Sequence, residues 1–348
     1  MNELESTSIL GVEELDRIRP SYVQLRFRLT QASLLQKQPQ YYARIIILNL
    51  VMLGLGVFLL PLIKDNLPIQ LLDAVFLAFV FGQIGFVGHD ATHLQISRTR
   101  WKNQFIGLVH WNLLLGISQS WWKSKHNTHH AHPNCAARDP DMDIPLLAFS
   151  DEQARSKRGP LRFLIRYQAY FFFPMLLLEG FYLRFASIQF LVRKKSNVPF
   201  AESLSILLNC IVFYGFVFYA LGFWRGVLFI TISHAAVGLY LGMVFATNHK
   251  GMPILTTRTR GDFLNHQIMT GRNVKGGFII DFFYGGLNYQ IEHHLFPNLP
   301  RNRLREAREI VRAFCLANSL SYHETGPLRS YAEVLSHLHN VSARLVRS

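Results

Sequence analysis

Cysteine is nearly missing from this sequence: 348 residues hold three, Cys135, Cys210 and Cys315. They are isolated, no Cys-x-x-Cys occurs, and the odd count argues against a disulfide framework. Cys210 lies in an apolar run and reads as a small core residue. Acidic residues are also scarce, 22 against 36 lysines and arginines, for a formal charge of +14. That balance raises the question of nucleic acid. The basic residues, however, are spread along the loops between apolar blocks, and no nucleic-acid motif accompanies them. A cytoplasmic membrane face beside anionic lipid accounts for the charge better. No Gly-x-Gly-x-x-Gly is present, so no motif for a flavin or nicotinamide is found. The first forty residues lack the apolar core of a signal peptide.

What the sequence has in abundance is apolar residues, half of the total, gathered in long blocks. Residues 44–63, 69–87, 204–223 and 227–247 are each about long enough to cross a hydrocarbon core of roughly 30 Å. They predict an all-α integral membrane protein with four spans and a cytoplasmic helical cap. Lys64 to Pro68 and Trp224 to Gly226 are the expected outer turns. Only Lys64 and Arg225 of all the lysines and arginines fall in them, so the positive-inside rule puts both termini in the cytoplasm. The expected organisation is an amphipathic N-terminal segment over 1–43 (Arg17, Arg19, Arg26, Arg28 and Lys37 among leucines), a membrane domain over 44–312 and a cytoplasmic tail over 313–348. Residues 101–122 are too interrupted for a crossing and read as re-entrant or interfacial. Residues 161–192 carry Arg162, Arg166, Glu179 and Arg184, charges that disfavour a span, and read as an amphipathic stretch lying in the interface.

Fifteen histidines are present, and seven fall in three clusters. His89-Asp-Ala-Thr-His93 follows the second span. His126-Asn-Thr-His129-His130 follows Trp121 and Trp122. Gln290-Ile-Glu-His293-His294 lies in a stretch that begins at Gly285. On a helix, residues at i, i+3 and i+4 share a face, so each cluster can present several imidazoles together. The topology puts all three clusters on one side of the membrane. Nitrogen-rich sites of this kind suit a redox metal that activates dioxygen. A lone histidine is more often a packed or surface residue, and His266, His323, His337 and His339 are read that way. His234, inside the fourth span, fits either role and is not assigned.

The pattern His-x-x-x-His, His-x-x-His-His, Gln-x-x-His-His, with spans between, resembles the membrane fatty acid desaturase family over about residues 45–312. The stretch Asn-Tyr-Gln-Ile-Glu-His-His-Leu-Phe-Pro resembles the third box of its front-end and actinobacterial acyl branches. The resemblance implies two non-haem irons, with dioxygen and two electrons used to place a cis double bond in a fatty acyl chain. It implies iron ligands at His89, His93, His126, His129, His130, His293 and His294. It also implies a ligand after the fourth span, for which His249 is the candidate. Gln290 replaces a histidine of other branches and, with Asn248, is expected to orient a ligand or the substrate. Asp90, Asp139, Asp143 and Glu292 are candidate acceptors for imidazole N–H groups. Trp121 and Trp122 are candidate walls of an acyl channel. No His-Pro-Gly-Gly haem motif occurs, so a separate ferredoxin or cytochrome b5 type carrier with an NAD(P)H-dependent reductase is expected to bring electrons. A hydroxylase or acetylenase would share the same core. A membrane metal transporter would put its ligands at mid-membrane and fits less well.

Overall fold

A computed structural model describes residues 21–255 and 263–346. The expectation for residues 1–20, with Arg17 and Arg19, lies outside the described residues. The chain runs through seventeen α-helices among the described residues: α1 Tyr22–Gln31, α2 Pro39–Leu59, α3 Leu67–Thr92, α4 Arg100–Gly107, α5 Gln119–Ala131, α6 Asp151–Ser156, α7 Gly159–Arg166, α8 Gln168–Leu176, α9 Glu179–Val192, α10 Pro199–Asn209, α11 Gly215–Leu221, α12 Phe223–His249, α13 Phe263–Thr270, α14 Phe278–Phe283, α15 Gln290–Leu295, α16 Leu304–Ala317 and α17 Pro327–Val346. Two strands of two residues, β1 Asn273–Val274 and β2 Glu324–Thr325, pair in parallel.

Among the described residues four stretches are long and apolar enough to cross a membrane: α2, α3, Pro199–Leu221 (α10 and α11 joined by a π-helical turn) and α12. A chain in hydrocarbon must satisfy every backbone group internally, which a helix does. Their outward residues are apolar, as at Val51, Phe58, Ile211 and Tyr219, all exposed. The inner face of α3 packs on α12 through Val80, Phe81, Ile84, Val237, Leu241 and Val244, all buried. Both helices run past the expected boundaries into the histidines. α3 includes His89 and α12 ends on His249.

Three expectations need correcting. The second outer turn is not Trp224 to Gly226, which lies inside the first turn of α12. Gly222 makes it, with φ of 74°, a left-handed conformation that glycine adopts without a steric penalty. The first turn of α12 meets the turn before α3, Arg225 donating to the Lys64 carbonyl. Residues 161–192 are not one interfacial stretch. They form α7, α8 and α9, and α8 and α9 are joined at a 66° bend and together are apolar enough to be a broken span or a re-entrant loop. The bend presses α9 onto α12 where glycines meet: a Cβ on Gly238 would lie 2.5 Å from the Gly180 nitrogen and 2.6 Å from the Leu176 carbonyl. Arg184 is half-buried and donates to the Gly180 carbonyl. Finally, the expected tail is a packed helix. Val334 and Leu338 of α17 are buried with Phe172 of α8 and Ala246 of α12. Residues 101–122 form α4, a π-helical turn over Leu108–Leu114, and a reversal at Gly116 into α5.

Candidate metal centre

The histidines come from four helices that the fold brings together. His89 sits in the last turn of α3 and His93 is its C-cap. His126, His129 and His130 lie on α5, His249 closes α12, and His293 and His294 lie on α15. The Gly285–Gly286 pair, with φ of 58° and 79°, lets the chain turn tightly before α15. A Cβ on Gly286 would lie 2.5 Å from Cγ of Arg301.

The eight imidazoles sort into two groups. His89, His93, His126, His130 and His293 form one, and His129, His249 and His294 the other; within each, the candidate ligand atoms lie within 4.8 Å of one another. His126, His129 and His130 stand at i, i+3 and i+4 on α5 and so lie toward one side of it; the neighbouring helices divide them, His89 lying against His126, His93 against His130 and His249 against His129. His293 and His294 are adjacent, so their side chains diverge by about 100° around the helix and one enters each group.

Hydrogen bonds fix the rings of the three-histidine group. The Nδ1 of His129 meets Asp139 Oδ1 at 2.9 Å, that of His249 meets the Thr270 carbonyl at 2.9 Å, and that of His294 meets Gln267 Oε1 at 2.9 Å. Each Nδ1 faces an acceptor and so carries the proton, which leaves three unprotonated Nε2 atoms, that of His249 also facing the Gln290 amide nitrogen. Those atoms nevertheless stand close, 3.2 Å from His129 to His249 and 3.1 Å from His249 to His294. Lone pairs at that distance repel with no proton between them; a cation fits there. In the five-histidine group, His89 Nε2 is 3.0 Å from His126 Nε2, which is 3.1 Å from His130 Nε2. His93 Nε2 and both ring nitrogens of His293 are buried and lack any hydrogen-bond partner among the described residues. Buried nitrogens in a native structure are ordinarily satisfied, so these too fit a metal.

Burial, then the neighbouring imidazoles, holds His126, His130, His293 and His294 well below the ordinary histidine value. They are therefore neutral at pH 7, the form that binds metal.

Around the rings the expected acceptors divide. Asp139 holds His129, and Asp90 lies 3.1 Å from His89 Nδ1 and is itself held by Arg301 at 2.8 Å. Asp143 does not take part: it is exposed. Glu292 faces away from the imidazoles and accepts from Asn273 and Tyr322, and burial pushes its carboxyl up to about 7. Two acceptors were missed in the sequence reading: Gln267 and the Thr270 carbonyl carry no local motif. Asp141, in the same acidic loop as Asp139, stands 3.5 Å from His129 Nδ1. Burial raises the Asp141 carboxyl, but Lys125, His129 and Lys250 outweigh it and hold it low. Gln290 places its amide nitrogen 2.8 Å from His249 Nε2 and takes a hydrogen bond from Asn248 at 3.0 Å. Of the other histidines, His234 bonds the Tyr214 hydroxyl and His266 the Pro133 carbonyl.

A cavity of about 120 Å³ adjoins both groups. Trp122, Phe172, Leu176, Phe245 and Leu287 supply apolar wall, and Lys125, Asp141, Glu179 and Lys250 a polar part. Trp122 also stacks on His126, with ring centres 5.2 Å apart. Trp121 is not on this wall; it is buried in the apolar core.

Residues 67–326 match the model of the fatty acid desaturase family. The chain belongs to that family. An acyl-lipid (9-3)-desaturase of Physcomitrium patens is 31% identical over 95% of this chain, which spans 65% of that protein. A Delta(5) fatty acid desaturase of Caenorhabditis elegans is 30% identical over 95% of the chain, and a Delta(6) desaturase of the same animal 30% over 97%. The chain spans 76% and 78% of those two, and so falls just under two thirds of the moss protein and near three quarters of the worm ones.

Proposed function

We propose that this protein is a membrane acyl desaturase that places a cis double bond in a long fatty acyl chain at a two-iron centre. The observation that carries the reading is the sorting of eight imidazoles into two convergent groups beside a largely apolar cavity. His89, His93, His126, His130 and His293 would hold one ion, and His129, His249 and His294 the other. Iron, when bound, supplies the one-electron chemistry with dioxygen that an unactivated methylene requires and no side chain offers. The protein's own share is positioning. Asp139, Thr270 and Gln267 lock three rings with their Nε2 atoms inward, a role that typically matters 10–100-fold for metal affinity. Gln290 stands beside His249 Nε2, where a fourth group of the smaller set would stand. Trp122, Phe245 and Leu287 confine the chain against the histidines and exclude water. Two electrons come from a separate ferredoxin or cytochrome b5 type carrier and its reductase.

The reading is tested by fatty acid methyl ester analysis of a host expressing the protein with an electron carrier. New acids two mass units below a host acid are expected. An acid sixteen units heavier with no alkene would move the assignment to a hydroxylase, and an alkyne to an acetylenase. Both histidine groups lie at span ends rather than at mid-membrane, which disfavours a transporter.

The proposed topology has both termini and the metal centre in the cytoplasm. In a background with all three cysteines replaced by serine, cysteines at the exposed Asn66 and Trp224 should react with an impermeant maleimide in intact cells. Cysteines at the exposed Asn127 and Leu328 should react only after lysis. Labelling of Asn127 from outside would invert the model.

A further inference from the structure

Neither Arg272 nor Asn273 belongs to a histidine box or touches an imidazole, yet both are fully buried. Arg272 closes the end of α12. Its backbone N–H donates to the Asn248 carbonyl at 2.8 Å, its Nε to the Thr247 carbonyl at 2.7 Å and its Nη2 to the Lys250 carbonyl at 2.7 Å. Its Nη1 is held at 2.8 Å by Glu333 of α17. The last carbonyls of a helix have no partner within it, and a buried cation there also meets the negative end of the helix dipole. His249 is the last residue of this 27-residue helix. Without closure the final turn frays, and the ring goes with it.

Asn273 does the matching work on α15. That helix has six residues and no side-chain cap at Tyr289, too short to persist alone. Asn273 Oδ1 accepts from the Ile291 N–H at 2.9 Å, a capping bond delivered from elsewhere in the chain, and its Nδ2 donates to Glu292 at 2.7 Å. Two residues upstream of Arg272, the Thr270 carbonyl holds the His249 ring. One four-residue segment thus sets the ring of His249, the end of its helix and the start of the helix bearing His293 and His294.

We propose that Arg272 and Asn273 are positioning residues of the metal centre: Arg272 for the three-histidine group through His249, Asn273 for both groups through α15. The proposal rests on the two-metal reading above. Its test is cobalt(II) titration of the detergent-purified full chain, followed by absorption and by metal analysis, with His249→Ala and His93→Ala marking the loss of each site. Wild type should bind two ions. Arg272→Met should lose the same site as His249→Ala, and Arg272→Lys, which keeps the charge but not the fork, should weaken that site roughly 10–100-fold while sparing the other. Asn273→Ala should weaken both. Gln168→Leu serves as a purely structural control: Gln168 is buried and bridges Ala148 to Leu338 of α17, so it should lower Tm and leave both affinities alone. If Arg272→Met does not fold, Arg272→Lys decides. Two unchanged sites in Arg272→Lys, against a two-site wild type, would overturn this proposal alone. A wild type that binds fewer than two ions would overturn the two-metal reading and this proposal with it.

Discussion

His293→Ala is expected to abolish the fatty acid product while the protein still inserts and folds. Neither ring nitrogen of His293 has a hydrogen-bond partner among the described residues, so its removal breaks no bond in the metal-free fold. The ring is buried at 1% exposure beside His89, His93, His126 and His130. Truncating it opens a small cavity, at a cost of about 2–5 kcal/mol by analogy with other large-to-small core changes, which a fold of ordinary stability, about 5–15 kcal/mol, survives. The proposed chemistry tolerates no such loss, because one of the five imidazoles that would hold an ion is gone. His129→Ala should do the same through the other group. There Asp139 keeps its bonds from the Asn134 and Asp141 backbone N–H groups, so the carboxylate is not stranded. Methyl ester analysis of cells expressing either variant should show host background only, a fall of at least about 100-fold, the upper end of what a ligand's own orienting partners are worth. Membrane fractionation should show wild-type amounts of protein. Product at wild-type levels in both variants would defeat the mechanism.

Removing metal should have an effect as large. Protein purified from iron-replete cells is expected to carry about two irons per chain, and a strong chelator should eliminate activity and lower Tm. A ligand present at a thousand times its Kd stabilises the folded state by about 4 kcal/mol, so stripping two sites costs several. The stripped protein should also become sensitive to acid. His126, His130, His293 and His294 stay neutral in the fold, with pKa values well below the ordinary one, whereas in the unfolded chain they take up protons below about pH 6.5. The unfolded state then binds more protons, so stability is intact above that pH and falls progressively beneath it. Metal analysis and thermal melts from pH 5 to 8 check both points. Stoichiometric zinc and no iron from such cells would end the two-iron reading.

The apolar spans and the histidine clusters were legible in the sequence. Apolar blocks such as 69–87 have one low-energy solution in a bilayer, since a helix alone satisfies its own backbone. Histidines at i, i+3 and i+4 are local patterns, so His89 with His93 and His126 with His130 could be read without coordinates. His249 was reachable only as the histidine after the fourth span.

Tertiary structure decided the rest. No spacing shows that His126 and His130 serve one group while His129 serves the other, because that depends on where α3, α12 and α15 stand around α5. Glu292 and Asp143 looked as good as Asp90 and Asp139 in one dimension. Which carboxylate meets a ring is set by the direction of its helix face and the course of its loop. Gln267, Thr270 and Arg272 lie far along the chain from the histidines α5 carries and have no motif of their own. Their roles arise because a helix end and a ring nitrogen each need a partner when buried, and the fold brings this segment to them. The 313–348 segment, polar enough to pass for a tail, packs because its apolar residues lie on one helical face, and only the groove between α8 and α12 shows what that face covers.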